Sequence, residues 1–126
     1  MHLTVLALTG IAMGCLTTFV GLPGQTELAA WVGAYVLWVA YGLRFSLTTP
    51  IRTMAVASTL SGLLHGSIQV LFLESYKQNN PWYAEYFIGQ SQNLAIQFLG
   101  QAILCGLGIG LLVGLLTRVL LKRRTA

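Results

Sequence analysis

Long apolar stretches alternate with short polar clusters along the chain, and the spacing of the clusters sets the length of the elements between them. Leu3 to Leu22 is 20 residues without a charge. At about 1.5 Å rise per residue that makes a helix of about 30 Å, the thickness of a bilayer's hydrocarbon core. Leu22-Pro23-Gly24-Gln25-Thr26 reads as a turn, with Thr26 capping a second helix and Glu27 at its positive N-terminal end. Only 16 residues separate Glu27 from Arg44. This second span, 28–43, therefore crosses only if both charged ends reach outward into the headgroups. Trp31 and Tyr35 near one end, and Trp38 and Tyr41 toward the other, are read as interfacial anchors, Trp38 lying deep for that role.

Thr49-Pro50 pairs an N-cap with a proline at the first helical position and opens the third span, 51–73, in which 21 uncharged residues lie between Arg52 and Glu74. Glu74 to Gln92 is the one long connection. Within it Asn79-Asn80-Pro81 reads as a helix start, and Trp82, Tyr83, Tyr86 and Phe87 share one aromatic face, the pattern of a short helix lying at the membrane surface. The fourth span, 93–117, is followed by Arg118 and by Lys122-Arg123-Arg124. The pattern predicts one all-α domain, 1–126: a four-transmembrane-helix bundle with a short interfacial helix in its third loop. The first span is expected to be retained, because Met1-His2-Leu3-Thr4 carries no Lys or Arg and no small-residue cleavage site ends the run.

Composition supports this class. Hydrophobic residues are 56% of the chain and charged ones 8%, with a mean hydropathy of +0.73, whereas a soluble domain is about 25% charged. A soluble globular domain and a disordered chain are both excluded. The net charge of +4 would ordinarily suggest a polyanion, but the basic residues flank apolar runs, where they set orientation in the bilayer; no nucleic-acid partner is expected. Arg44, Arg52, Arg118, Lys122, Arg123 and Arg124 fall on one side of the four spans and Lys77 alone on the other. By the positive-inside rule both termini and the 44–52 loop are cytoplasmic. Short loops point to a bacterial cytoplasmic (inner) membrane.

Helices in lipid associate through close backbone approach and interhelical hydrogen bonds. Ala102, Gly106, Gly110 and Gly114 form an unbroken series of small residues four apart; Gly10, Gly14 and Thr18 form a shorter one, and Gly33 offers a site on the second span. These faces meet either within one chain or between chains. Four short spans leave little room for an internal cavity, so a pore or pocket is expected to need several copies or a partner.

Polar residues inside a span are costly and mark places where function can reside. In the third span Ser58, Ser61, Gly62, His65, Gly66 and Gln69 recur at steps of three and four; in the fourth, Asn93, Gln97 and Gln101 recur at steps of four. Ser61, His65, Gln69, Asn93, Gln97 and Gln101 are candidates for either a wet path for small solutes or protons, or for interhelical hydrogen bonds. Cys15 and Cys105 lie inside spans without C-x-x-C spacing and are read as buried thiols, so no metal is expected. His2 is terminal, which leaves His65 without a second intramembrane histidine for haem, and no cofactor is expected. Glu74 is expected to pair with Lys77, an exposed contact of little energetic value. Phosphate loops, dinucleotide glycine patterns, nucleophile elbows and zinc helices are absent from the sequence, and the expected class is non-enzymatic. Two readings remain. One is a membrane protein that works by association with itself or with other membrane subunits; the other is a small-solute, ion or proton transporter or channel assembled from several copies.

Overall fold

The computed structural model describes residues 2–83 and 94–125. Among these there is no strand: α1 (His2–Cys15) continues through a π-helical turn (Leu16–Val20), then come α2 (Gly24–Arg44), α3 (Pro50–Leu71), the short α4 (Leu73–Asn79), a 3-10 turn (Pro81–Tyr83) and α5 (Leu94–Thr125). Four helical segments are long and apolar enough to cross a membrane: His2–Val20, Gly24–Arg44, Pro50–Leu71 and Ala95–Arg124.

The helix boundaries correct several expectations. Helix α2 begins at Gly24 with Pro23 at its N-cap, so Thr26 lies inside the first turn, and 21 residues replace the expected 16-residue span. The pyrrolidine ring holds Pro23 at φ −53° and leaves it no N–H to donate, so the helix begins directly after it and not at Thr26. Pro50 opens α3 as expected, but Thr49 makes no side-chain cap; its hydroxyl lies 3.4 Å from that of Thr53 instead. Asn79-Asn80-Pro81 ends a helix where a start was expected, and Pro81–Tyr83 is a single 3-10 turn. The rest of the expected interfacial helix, with Tyr86 and Phe87, lies outside the described residues, as does Asn93. Helix α5 runs on past Thr117 to Thr125.

Helix α3 is the centre of the molecule, and small residues let its neighbours reach it. A Cβ at Gly106 would sit 2.9 Å from the Ser58 carbonyl oxygen, one at Gly110 2.6 Å from that of Met54, and one at Gly114 2.5 Å from the Ile51 Cα. Ala102 continues the seam, its carbonyl 2.9 Å from a Cβ built at Gly62. On the other side of α3, a Cβ at Gly10 would strike the Ser61 carbonyl, and one at Gly14 would lie 3.2 Å from the His65 Cα. The glycine series of both spans is thus used within a single chain. Gly33 is different: with Gly100 and Gly108, it has nothing within 4 Å of where a Cβ would stand.

Helix α2 is held more lightly, with only Trp38 and Gly42 buried. Trp38 is no interfacial anchor. It is 3% exposed, joins Leu6, Leu47, Met54, Ala57 and Val113 in the apolar core, and donates its indole N–H to Thr9 Oγ1 at 3.1 Å. Further along, His2 Nδ1 meets the Tyr41 hydroxyl at 2.8 Å and Arg124 donates to the Leu43 carbonyl at 3.2 Å. Both described chain ends therefore gather at the C-terminal end of α2, beside Arg44. At the opposite end α4 closes over the π-turn. Asn80 donates to the Thr17 carbonyl at 2.7 Å and Asn79 to that of Thr18 at 3.0 Å, capping carbonyls at the end of the first span. Gly21 makes the turn out of this segment with φ +77°, and a Cβ there would collide with the Asn79 carbonyl.

Candidate functional site

Helices α2 and α5 meet where Gly42 packs on Thr117. Toward the other end the two helices bound a half-open cleft of about 760 Å³, with α3 as its floor. A single chain thus holds a cleft where the sequence predicts that several copies are needed: α2 buries only Trp38 and Gly42, and the space left beside its first half, crossed by the Glu27 and Trp31 contacts to His65, is the cleft. Helix α2 contributes Glu27, Trp31 and Tyr35 at steps of four, which puts them on one helical face. Ser58, Gly62, His65, Gly66 and Gln69 come from α3, and Gln97, Phe98, Gln101, Ala102 and Cys105 from α5. Tyr76 of α4 and Tyr83 of the 3-10 turn close the far end.

His65 Nε2 is the centre of the polar cluster. Thr17 Oγ1 lies 3.1 Å from it, Gln69 Nε2 3.2 Å and Glu27 Oε1 3.6 Å. The His65 and Glu27 side chains are 14% and 17% exposed, so this is an enclosed pair and not a solvated surface contact. The π-helical turn places Thr17: its hydroxyl donates back to the Met13 carbonyl at 2.9 Å and also stands 3.5 Å from the Gln69 amide nitrogen, which donates to it. π-turns of this kind recur at functional positions because they re-aim a side chain by part of a turn. A neutral imidazole accepts the Gln69 amide N–H at Nε2 and carries its own proton on Nδ1; a protonated one has an N–H to offer Glu27. The arrangement can therefore hold a proton or present a carboxylate to a bound solute.

Aromatic rings flank this cluster on both sides. Trp31 stacks on Tyr35 with centroids 5.7 Å apart and meets His65 edge-on at 5.4 Å. The Trp31 indole N–H faces the Glu27 carboxylate as its hydrogen-bond donor. On the other side Tyr76 stacks on Tyr83 at 6.4 Å and takes Phe98 edge-on at 5.8 Å. Burial, with the nearby charge of Glu27 and the Tyr83 phenol adding to it, pushes the Tyr76 phenol well above its ordinary value of 10.0.

The candidate residues of the third and fourth spans separate in space. His65, Gln69, Gln97 and Gln101 line one cleft, although they come from two helices. Ser61 is apart from them, fully buried at the α1–α3 contact with its hydroxyl unpartnered, while Ser58 of the same stripe reaches the cleft. Cys15 and Cys105 are both exposed, against the expectation of buried thiols, and Cys105 lines the cleft. Among the described residues no three His, Cys, Asp or Glu side chains gather in a metal-holding group.

Sequence reasoning missed Glu27, Trp31, Tyr35 and Thr17 as site residues. The signal for the first three was present as the i, i+4, i+8 spacing of a carboxylate and two aromatic rings. It is hidden when Glu27 is read as a charged helix end that reaches outward into the headgroups. Thr17 carries no local signal, because its position depends on the π-turn. No family model, curated relative or solved structure matches the chain.

Proposed function

We propose that the chain is an integral membrane protein that binds a small solute in the cleft between α2, α3 and α5 and moves it between bilayer and water, with no chemical transformation of the solute. One observation carries this reading. The Glu27, His65, Gln69 and Thr17 cluster sits at the polar end of a ligand-sized cleft inside helices apolar enough to cross a membrane, where an enclosed ionisable pair is costly unless it serves a passing or bound group. A cleft formed by one chain removes the need for several copies to build one. The glycine series, the main support for action by association, is already spent on α3.

Association keeps one support of its own. Helix α2 has little buried, and Gly33 leaves an open small-residue position on it, so a second copy or another membrane subunit has a place to pack. The six cations Arg44, Arg52, Arg118, Lys122, Arg123 and Arg124 mark the cytoplasmic side, with both termini there, in a bacterial inner membrane. The polar end of the cleft then lies in the outer half of the bilayer.

The test is thermal stabilisation of the purified protein by a panel of cationic, zwitterionic, neutral and anionic small amphiphiles, and then uptake of any stabiliser into proteoliposomes. A compound that stabilises the wild type and enters its vesicles, but does neither with His65→Ala, supports the reading. A panel without any His65-dependent stabiliser overturns it.

A further inference from the structure

Resting on the reading of the cleft as a solute site, we propose that its ligand is a monovalent organic cation, held by the Glu27 carboxylate between two aromatic walls. Charge is the first argument. Glu27 is the one acidic residue among the described residues that line the cleft, and none of them is Lys or Arg. His65 Nε2 already has Thr17 Oγ1 at 3.1 Å and Gln69 Nε2 at 3.2 Å, and it stands 3.6 Å from Glu27 Oε1, beyond direct hydrogen-bond reach. The Trp31 indole N–H answers part of the carboxylate's hydrogen-bonding capacity, but its charge stands in an enclosed space with no Lys or Arg among the described lining residues, and a carboxylate in such a place calls for a positive partner.

The surroundings say which kind. A hard metal ion needs six or more oxygen ligands or several retained waters in a fixed geometry, and one carboxylate among rings does not provide this. Rings instead offer their negative faces to a diffuse organic cation. Trp31 and Tyr35 form one stacked pair, Tyr76 and Tyr83 another, and the nearby charge of Glu27 acts on Tyr76, which places the carboxylate close to the second wall as well as the first. The remaining walls, among them Leu28, Val32, Phe98 and Ile109, are apolar and suit the substituents of such an ion. The volume of about 760 Å³ suits a ligand of drug size.

A pair of probes of one shape and opposite charge separates this inference from the reading beneath it. Tetraphenylphosphonium and tetraphenylborate binding is measured on the protein in phosphatidylglycerol nanodiscs, with empty discs subtracted. The expected result is saturable binding of the phosphonium, weakened about tenfold or more by Glu27→Gln and largely kept by Glu27→Asp, and no saturable binding of the borate. Saturable borate binding that depends on Trp31 but is indifferent to Glu27→Gln would overturn the cation while leaving the solute cleft standing. Failure of both probes, together with an empty result in the amphiphile panel, removes both. Repeating the measurement in discs of half phosphatidylglycerol and half phosphatidylcholine, against charge-matched discs of half phosphatidylglycerol and half neutral galactolipid, identifies the source of the cation. A loss of phosphonium affinity in the phosphatidylcholine discs alone assigns the site to choline headgroups and an unchanged affinity assigns it to a free cation; both outcomes uphold the inference.

Discussion

His65 Nε2 stands 3.6 Å from Glu27 Oε1, joining the first turn of α2 to the last third of α3. Glu27 and His65 are mostly enclosed, and Thr17 and Gln69 approach the same nitrogen. Helix α2, held elsewhere mainly by Trp38 and Gly42, is tied to α3 here by polar contacts. Removing either partner strands the other in a poorly solvated place, so the effects of Glu27→Ala and His65→Ala on unfolding in mixed micelles are expected to be non-additive. The coupling should be about 1 to 2 kcal/mol. Strict additivity would mean that the two side chains do not sense each other.

The seam between α3 and α5 separates glycines of one helix into two classes. A Cβ at Gly110 would lie 2.6 Å from the Met54 carbonyl and 2.7 Å from the Ala55 Cα, backbone atoms that cannot step aside, whereas at Gly108 it would meet nothing within 4 Å. Gly110→Ala is expected to cost about 1 to 3 kcal/mol as overpacking. Gly108→Ala should be neutral or gain about 0.5 to 1 kcal/mol from helix propensity. Thermal midpoints of the two variants in one detergent decide this; equal shifts would show that α5 does not pack on α3 through the Gly110 face.

The end of the first span rests on a conformation that only glycine adopts cheaply. Gly21 has φ +77° and the Asn79 carbonyl against it, while Asn80 carries the Thr17 carbonyl. Gly21→Ala should destabilise by more than about 1 kcal/mol from backbone strain alone. Asn80→Ala should cost about 1 to 3 kcal/mol by orphaning the Thr17 carbonyl its side chain serves. Both are read from unfolding midpoints, and a variant as stable as the wild type would exclude this closure of α4 over α1.

Four apolar helices were legible because span length and charge-free runs are set by the sequence itself, and the Ala102 to Gly114 series was legible because a step of four returns to one helix face. Ends were harder. Pro23 starts α2 four residues before Glu27, and that shift alone turns Glu27 from a headgroup-facing charge into a wall of the cleft. Ser61 and His65 share a helix face by spacing, yet Ser61 packs on Gly10 while His65 turns to the cleft. Their separation depends on where α1 and α2 approach α3, and that is tertiary information. Cys105 reads as buried only when span residues are equated with interior ones, although a helix in lipid turns much of its surface outward.

The two thiols report whether the cleft is wet. Cys105 lines it and Cys15 does not, though both are exposed. A thiol reacts as thiolate, which needs water, so in intact membranes Cys105 should react with a small maleimide about tenfold faster or more than Cys15. Single-cysteine variants labelled side by side provide the comparison. Equal rates would mean that lipid or the rest of the chain keeps water out of the cleft.

Tyr76 gives the cleft a dependence on alkaline pH whose sign is fixed. Its phenol is raised above 10.0 in the folded protein, first by burial, then by the charge of Glu27 and by Tyr83. Below about pH 9 the phenol is protonated in both the folded and unfolded states, and it adds no slope. Above that, the unfolded chain releases the proton while the folded one keeps it, so the folded state binds more protons and stability falls as pH rises toward the folded value. Tyr76→Phe removes this loss. The thermal midpoint of the wild type should therefore drop more steeply than that of Tyr76→Phe between about pH 9 and 11, while the two run parallel between about pH 7 and 9. Parallel curves over the whole range would mean that Tyr76 ionises in the folded protein as freely as in the unfolded chain, and would remove it from the closed end of the cleft.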